Sequence, residues 1–301
     1  MKVRFWGVRG SIACPGPQTA KFGGNTSCYE VEDSQGNIFV FDAGTGIREL
    51  GNSLVKRGAK TINLFISHTH WDHIQGFPFF IPSYIPGATI NIYGPTHFEK
   101  SLRSIMDLQM DYAYFPVSRQ QLNAQINFFD LKEEEITIGN TKISTKYSNH
   151  PVTALCYRLE ENGKSFAYSG DFEPYYNVLD DSGAEAKEDD DDEDDFDFDD
   201  EDMDDIVEER NRAHEEFCSV DLLVHDAQYT KKEYPNFKGW GHSSMEYVLD
   251  MARTQKVKQL ILTHHDPNRT DEELEKIEKT LKETYSDLDF SFSREGAEIE
   301  I

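Results

Sequence analysis

One stretch narrows the fold of this chain more than any other: TINLFISHTHWDH, residues 61–73. Its first seven residues, TINLFIS, are rich in apolar and β-branched side chains, the pattern of a buried strand, Thr61 to Ser67. Its last six hold three histidines and one aspartate, namely His68, His70, Asp72 and His73. Imidazoles crowded this closely repel one another on protonation unless a cation or a catalytic role holds them. His68 and His70 alternate at the strand end and share a face. Asp72 and His73 open a short helix, expected over His73 to Phe80, and approach from the other side. The arrangement suits two ions, one between His68 and His70 and one between Asp72 and His73.

Each ion needs ligands from elsewhere in the chain, and three residues qualify. His150 follows ISTKYSN, Asp171 follows SFAYSG and His264 follows QLILT, each at the end of an expected strand. His265 competes with His264, which is preferred because it directly follows Thr263. The cysteines, Cys14, Cys28, Cys156 and Cys218, are scattered with no C-x-x-C pair. Imidazole and carboxylate are therefore the expected ligands, a set that suits two divalent ions, zinc first, with manganese and iron as alternatives. Free thiols favour a reduced, cytoplasmic setting. No window approaches 18 apolar residues, the length needed to span a membrane. The opening MKVRFWGVRGS lacks an apolar signal-peptide core and reads as a first strand.

Further strands are expected over Val3 to Val8, Cys28 to Asp33, Ile38 to Asp42, Thr89 to Tyr93, Ile126 to Phe129, Glu135 to Ile138 and Lys142 to Tyr147. A hairpin in LCYRLEENGKSFAYSGD turns at Asn162-Gly163. Helices are expected over Gly46 to Gly58, His97 to Met110, Val207 to Phe217, Ser243 to Thr254 and Asp271 to Thr284. Strands over Asp221 to His225, Gln259 to Thr263, Leu288 to Phe292 and Ala297 to Ile301 complete the chain. Strand-rich halves with helices outside them give an α/β (α+β) fold, a four-layer αββα sandwich, in a single domain over residues 1–301.

Charge is unevenly placed. The net charge is −26, but Glu185 to Glu209 carry 18 acidic residues against one lysine, leaving −9 on the rest. That tract is a low-complexity acidic insertion, expected to be disordered because like charges repel and nothing in it can be buried. Phe196 and Phe198 give it some character as a contact for a basic partner or for cations.

HTHWDH, the strand-end His150, SGD at Asp171 and LTHHDP at His264 resemble the metallo-β-lactamase superfamily, and in its order. The resemblance runs from the first strand to the last helix, with the acidic tract as an insertion. It implies the αββα fold and a dinuclear site bridged by Asp171. One ion would take His68, His70 and His150; the other would take Asp72, His73 and His264. Asp72 would also hold the attacking hydroxide.

The branch is indicated by KGWGHSSMEYVLDMA and the VHDAQYT ahead of it. Gly241-His242-Ser243-Ser244 resembles the G-H-S-T element of ribonuclease Z-like phosphodiesterases, which implies that His242 protonates the leaving oxygen. His225-Asp226-Ala227 resembles their H-E-A-T element, which implies that Asp226, one methylene shorter, orients His242. Ser243 is the expected N-cap of the following helix. The chemistry fits a phosphodiester: paired ions generate a hydroxide and neutralise phosphoryl oxygens, and a histidine serves the leaving group.

In the family the RNA-binding arm lies between the His150 and Asp171 equivalents. Here those residues are 21 apart with room for one hairpin, and no basic stripe is present to hold phosphates. Large RNA is therefore not the expected substrate. VRFWGVRGS, GGNTSC, HDAQYT and GWGHS resemble bacterial metal-dependent hydrolases near the cyclic-nucleotide phosphodiesterases. The expected function is hydrolysis of a small phosphodiester, with a cyclic nucleotide as the leading candidate. A ribonuclease Z-like nuclease, a lactonase or thioesterase, and a binding protein working through its acidic tract are the alternatives. Analogy adds a homodimer. Trp71, Trp240 and Asp111 to Phe115 could stack on a base, although packing in the core or at a rim is the first expectation. The loop Gly23 to Ser27 is flexible enough to approach the site.

Overall fold

The computed structural model of the chain describes residues 1–96, 100–177 and 200–301. Two seven-stranded sheets are present among them. The first runs in the order β14 (Glu298–Glu300), β1 (Lys2–Gly7), β2 (Cys28–Glu32), β3 (Ile38–Phe41), β4 (Thr61–Phe65), β5 (Thr89–Pro95) and β6 (Gln125–Leu131). The second runs β13 (Phe290–Phe292), β12 (Gln259–Thr263), β11 (Leu222–Asp226), β10 (Lys164–Tyr168), β9 (Ala154–Glu161), β8 (Thr141–Ser148) and β7 (Glu135–Ile138).

Alternation along the strands creates the layers. Val3, Phe5, Tyr29, Phe41 and Phe65 of the first sheet meet Tyr157, Phe166, Tyr168, Val224 and Ile261 of the second in one buried core. On the outer face of the first sheet, Val40, Leu64 and Ile92 pack against α1 (Ile47–Arg57) and, beyond the short α2 (Trp71–Ile74), against α3 (Leu102–Leu108). Leu223, Leu260 and Leu262 of the second sheet pack outward on α5 (Met245–Thr254) and α6 (Asp271–Thr284), which follow α4 (Asp200–Phe217). The result is the expected αββα sandwich.

Strands β3 to β6 are parallel, as are β10 to β13. Their carboxyl ends lead into the loops that carry His68, His70, Asp171 and His264, which gather at one rim of the sandwich. Two of the residues at these strand ends are forced into left-handed backbone: Asp42 after β3 and His264 after β12, both with φ of 62°.

Several expectations are corrected by the structure. The helix expected over His73 to Phe80 starts at Trp71 and ends at Ile74, followed by 3₁₀ turns at Phe77–Phe79 and Ile81–Tyr84. Pro78 and Pro82 lack the N–H that a continuous helix would need. The helix expected over His97 to Met110 is Leu102–Leu108, with His97 to Glu99 outside the described residues. The acidic insertion, placed at residues 185–209, lies outside the described residues up to 199. From Asp200 onward it is not disordered but forms the start of α4. The Asn211 side chain anchors that helix, accepting from Tyr175 N at 2.8 Å and donating to Tyr175 O at 2.9 Å. Nearer its start, Asn177 donates to Asp204 at 3.0 Å. No described helix is long and apolar enough to cross a membrane.

Candidate metal centre

The chain leaves β4 at Phe65, so His68 and His70 sit in the loop beyond the strand rather than on its last residues. Their nitrogens still converge. His68 Nε2 and His150 Nε2 each lie 3.1 Å from His70 Nδ1. Beside them Asp72, His73, Asp171 and His264 form a second group of donors, all buried. Asp171 stands between the two: its Oδ2 is 3.5 Å from His68 Nε2 and 3.2 Å from His73 Nε2, and its Oδ1 is 3.3 Å from His264 Nε2. Asp72 Oδ2 is 3.3 Å from His73 Nε2 and 3.2 Å from His264 Nε2.

The outward-facing nitrogens fix the tautomers. His73 Nδ1 donates to Asp42 Oδ2 at 2.7 Å, and His264 Nδ1 to Gln228 Oε1 at 3.1 Å. His150 Nδ1 donates to the Gly241 carbonyl at 3.0 Å. His68 Nδ1 donates at 3.1 Å to Ser67 Oγ, whose own hydrogen goes to Asp42 Oδ2 at 2.8 Å. Each of these four rings thus turns a lone pair inward, the tautomer that metal-ligating histidines adopt when their other N–H is held by a carboxylate or carbonyl.

Electrostatics inside the cluster calls for positive charge. Burial pushes His68 well below the ordinary imidazole range, with His73 adding to it. Burial likewise lowers His150 to about 4, against the pull of Asp171. Burial also opposes a charge on His73, yet Asp171, Asp72 and Asp42 outweigh it and raise that ring well above its usual value. Burial works against the carboxylates too, but His264, His73 and His68 hold Asp171 well below the carboxylate range, and His73 does the same for Asp72. His73 Nε2 and Asp171 Oδ1 have no hydrogen-bond partner although both are buried. Converging lone pairs, carboxylates and orphaned buried atoms fit divalent cations, with a donor set of nitrogen and oxygen.

His242 lies next to this cluster, its ring stacked on His264 at 4.8 Å between centroids. Its Nδ1 donates to Asp226 Oδ2 at 3.0 Å. Burial disfavours its charge, but Asp226, with Asp171 and Asp72 behind it, outweighs burial and lifts His242 to about 9. The helix after it is capped by Ser244, whose side chain accepts from Tyr247 N, so Ser243 is not the N-cap. Ser243 instead donates to the Phe172 carbonyl at 2.6 Å, fastening the His242 loop to the residue after Asp171. Tight sterics hold the site as well. A Cβ on Gly10 would come within 2.4 Å of the His264 ring, and one on Gly241, at φ of 84°, within 2.2 Å of His150 Nδ1.

His264, not His265, belongs to the cluster. His265 points away and donates from Nε2 to Ser293 O at 3.0 Å. Four groups that position the site escape a reading of the sequence. Asp42 collects Ser67 N and Oγ, His73 Nδ1 and Tyr168 OH. Gln228 holds His264. Ser11 N donates to Asp72 Oδ2 at 2.7 Å. Glu173 accepts from Gly239 N, Gly241 N and Tyr234 OH, shaping the loop before His242. A carboxylate at a strand end before a glycine turn, as in FDAGTG, is the available signal for Asp42. Trp71, Trp240, Tyr112 and Tyr114 are mostly exposed rather than core. The loop Gly23 to Ser27 packs behind the site: Thr26 Oγ1 accepts from Thr45 N, and Asn25 is held by Glu295. An open cleft of about 380 Å³ adjoins His150, walled by Asn149, Tyr175, Tyr176, Arg210 and Gly241.

The chain as a whole is similar to known proteins. A family model described as "Beta-lactamase superfamily domain" matches residues 37–188. A ribonuclease Z from Thermoplasma acidophilum is 25% identical, the alignment covering 96% of this chain and 94% of that protein. The metallo-beta-lactamase fold protein YhfI from Bacillus subtilis superposes with a TM-score of 0.65 at 17% identity, over 100% of this chain and 98% of that one. A diphosphatase from the PhnP family superposes with a TM-score of 0.67, also at 17% identity, over 100% and 97%.

Proposed function

From the premise that this chain belongs to the beta-lactamase superfamily, we propose that it is a metal-dependent phosphodiesterase acting on a small phosphodiester, with a cyclic nucleotide as the leading candidate. The observation that carries this reading is the His242–Asp226 pair, joined at 3.0 Å and set against the metal-type cluster. His68, His70 and His150 would hold one divalent ion and Asp72, His73 and His264 the other, with Asp171 between them. Such ions, zinc fitting the donors best, would lower the pKa of a water and neutralise phosphoryl oxygens.

The chain's own residues supply the remainder. Asp72, oriented by the Ser11 N–H, accepts a hydrogen bond from the attacking water and keeps it directed. Asp226 holds the Nδ1 proton of His242 in place, leaving Nε2 to carry a second proton to the departing oxygen. An ester or a β-lactam depends less on such a second acid, which favours phosphodiesters over those substrates. Asn149, Tyr175, Tyr176 and Arg210 offer a polar and aromatic wall for the rest of the substrate.

A ribonuclease Z-like activity is the second reading, carried by the name of the relative from Thermoplasma. The interval between His150 and Asp171 weighs against it, since β9 and β10 fill that interval as a plain hairpin.

The test is His242→Ala, assayed with a generic aryl phosphodiester and with metal analysis. Unaltered metal content and lost turnover are expected; unchanged turnover rejects the reading. A panel of cyclic mono- and dinucleotides, a labelled tRNA precursor, and lactone and thioester substrates then separates the alternatives.

A further inference from the structure

Behind Asp226, on the far side of β11, lies another group of metal-type donors. His214 on α4, Cys218 just past its end and His225 on β11 place their ligand atoms within 4.8 Å of one another, all three residues buried. His214 Nε2 is 3.0 Å from His225 Nε2 and 3.5 Å from Cys218 Sγ.

A proton inventory shows what this pocket lacks. His225 Nδ1 donates to the Asp226 carbonyl at 2.7 Å, so its Nε2 is a bare lone pair facing His214. On its other side, His214 Nδ1 faces Cys156 Sγ at 3.8 Å, and the Cys156 thiol already donates to Ser169 O at 3.0 Å. With its proton on Nδ1, His214 can accept the Cys218 thiol hydrogen at Nε2, but the His225 Nε2 lone pair is left facing it without a donor. With its proton on Nε2, Nδ1 meets a sulfur whose hydrogen is committed elsewhere. Protonating both nitrogens would satisfy every contact, but burial pushes His214 well below the ordinary imidazole range. A cation between the two Nε2 atoms satisfies all of them at once. His214 Nδ1–H then goes to Cys156, His225 Nδ1–H goes to the Asp226 carbonyl, and both inner lone pairs are used. This outward donation from each ring is the habit of metal-bound histidine.

We propose that His214 Nε2, Cys218 Sγ and His225 Nε2 form a third metal site, built for a thiophilic divalent cation, with Zn²⁺ as the expected occupant. It stands apart from the centre at the rim and does not depend on the reaction assigned there. Binding releases one proton to solvent, from the Cys218 thiol, as the sulfur–metal bond forms. With three protein donors, the fourth position of a tetrahedral zinc falls to a small exogenous ligand. The role of the site is structural, since it clamps α4, the element that carries the end of the acidic tract, onto β11. His214 is also stacked on Phe172 at 3.4 Å, and Phe172 directly follows Asp171, so the clamp braces the floor of the rim centre.

The donor chemistry makes the site separable from that centre, whose candidate ligands include no cysteine. The full chain, saturated with zinc and freed of excess, is analysed by X-ray absorption at the zinc edge. A sulfur neighbour at about 2.3 Å is expected; zinc with only nitrogen and oxygen neighbours overturns the proposal. With cobalt(II) in place of zinc, a thiolate-to-metal charge-transfer band is expected in the wild type, in Cys14→Ser and in His70→Ala. It should vanish in Cys218→Ser and in His225→Gln, with the loss of one metal per chain in each. A band that survives Cys218→Ser overturns the assignment. The absorption measurement on the wild type decides the matter alone if either variant fails to fold.

Discussion

Oδ2 of Asp226 accepts from His242 Nδ1 at 3.0 Å and, at the same time, from the backbone N–H of Phe172 at 3.1 Å. One buried carboxylate oxygen therefore ties the candidate proton donor to the segment that carries Asp171. The hydrogen bond to the backbone keeps the carboxylate from following the imidazole if that ring moves.

Asp226→Asn should therefore fold and bind metal but turn over poorly. An amide can present its N–H to His242 Nδ1, which leaves that nitrogen unprotonated, so the ring is neutral and its remaining Nε2 proton is a far weaker acid than that of the imidazolium sustained by Asp226. A loss on the order of 10²-fold in kcat is expected, the lower end of what general acid catalysis contributes, with KM little changed. Steady-state kinetics with metal analysis checks it; an equal rise in KM would point to binding instead.

Gly241→Ala should disturb the first metal group without touching any candidate ligand. The new methyl would fall within 2.2 Å of His150 Nδ1, on backbone at φ of 84° that favours glycine. His150 would be driven from His68 and His70. The expected outcome is reduced metal occupancy and at least tenfold lower activity, read by metal analysis and an aryl phosphodiester assay.

Glu173→Ala should lower stability and activity together. It strands the buried Gly241 N and removes an acceptor from the part-buried Gly239 N and Tyr234 OH. Unmet buried groups cost about 1–3 kcal/mol each, reduced here by any water that enters. Denaturant unfolding should show a loss within that range, and kcat should fall because the loop before His242 loosens.

His265 provides a pH test. Burial holds it at about 3, so the native ring stays neutral in mild acid. The unfolded ring protonates near 6.5. Below about pH 6.5 the unfolded state binds the extra proton, so stability falls as pH drops towards about 3, and the contribution is complete above 6.5. Urea unfolding across that window should show a slope shallower by up to one proton in His265→Gln than in the wild type.

The sequence carries the fold and the cluster because both rest on local pattern. Thr61 to Phe65 reads as a buried strand from its apolar and β-branched residues, and His68 to His73 is too rich in donors to be ordinary surface. The strand-end positions of His150, Asp171 and His264 then follow from the same logic. Residues whose importance is purely spatial stay hidden. Asp42 is 25 residues from Ser67 and 126 from Tyr168, yet it accepts from both. Glu173 binds a loop more than 60 residues away. Apart from the strand-end carboxylate in FDAGTG that points to Asp42, nothing in periodicity or composition marks such partners. Helix boundaries slip for local reasons: Pro78 and Pro82 break one helix, and Asn211, gripping Tyr175, anchors another whose start lies in acidic sequence that charge repulsion alone marks as disordered.

The backbone keeps its own trace of this chemistry. Asp42 and His264 close strands in opposite sheets, and both sit at φ of 62°, where a non-glycine residue costs on the order of 1 kcal/mol. Glycine would relieve either kink and abolish what the side chain does there. A lineage that no longer needed the centre would be free to settle position 264 as glycine or asparagine and gain stability, whereas Asp42 would still be kept by the buried donors that it satisfies. Histidine at that corner is thus a signature of continuing use, legible in a main-chain torsion before any side chain is considered.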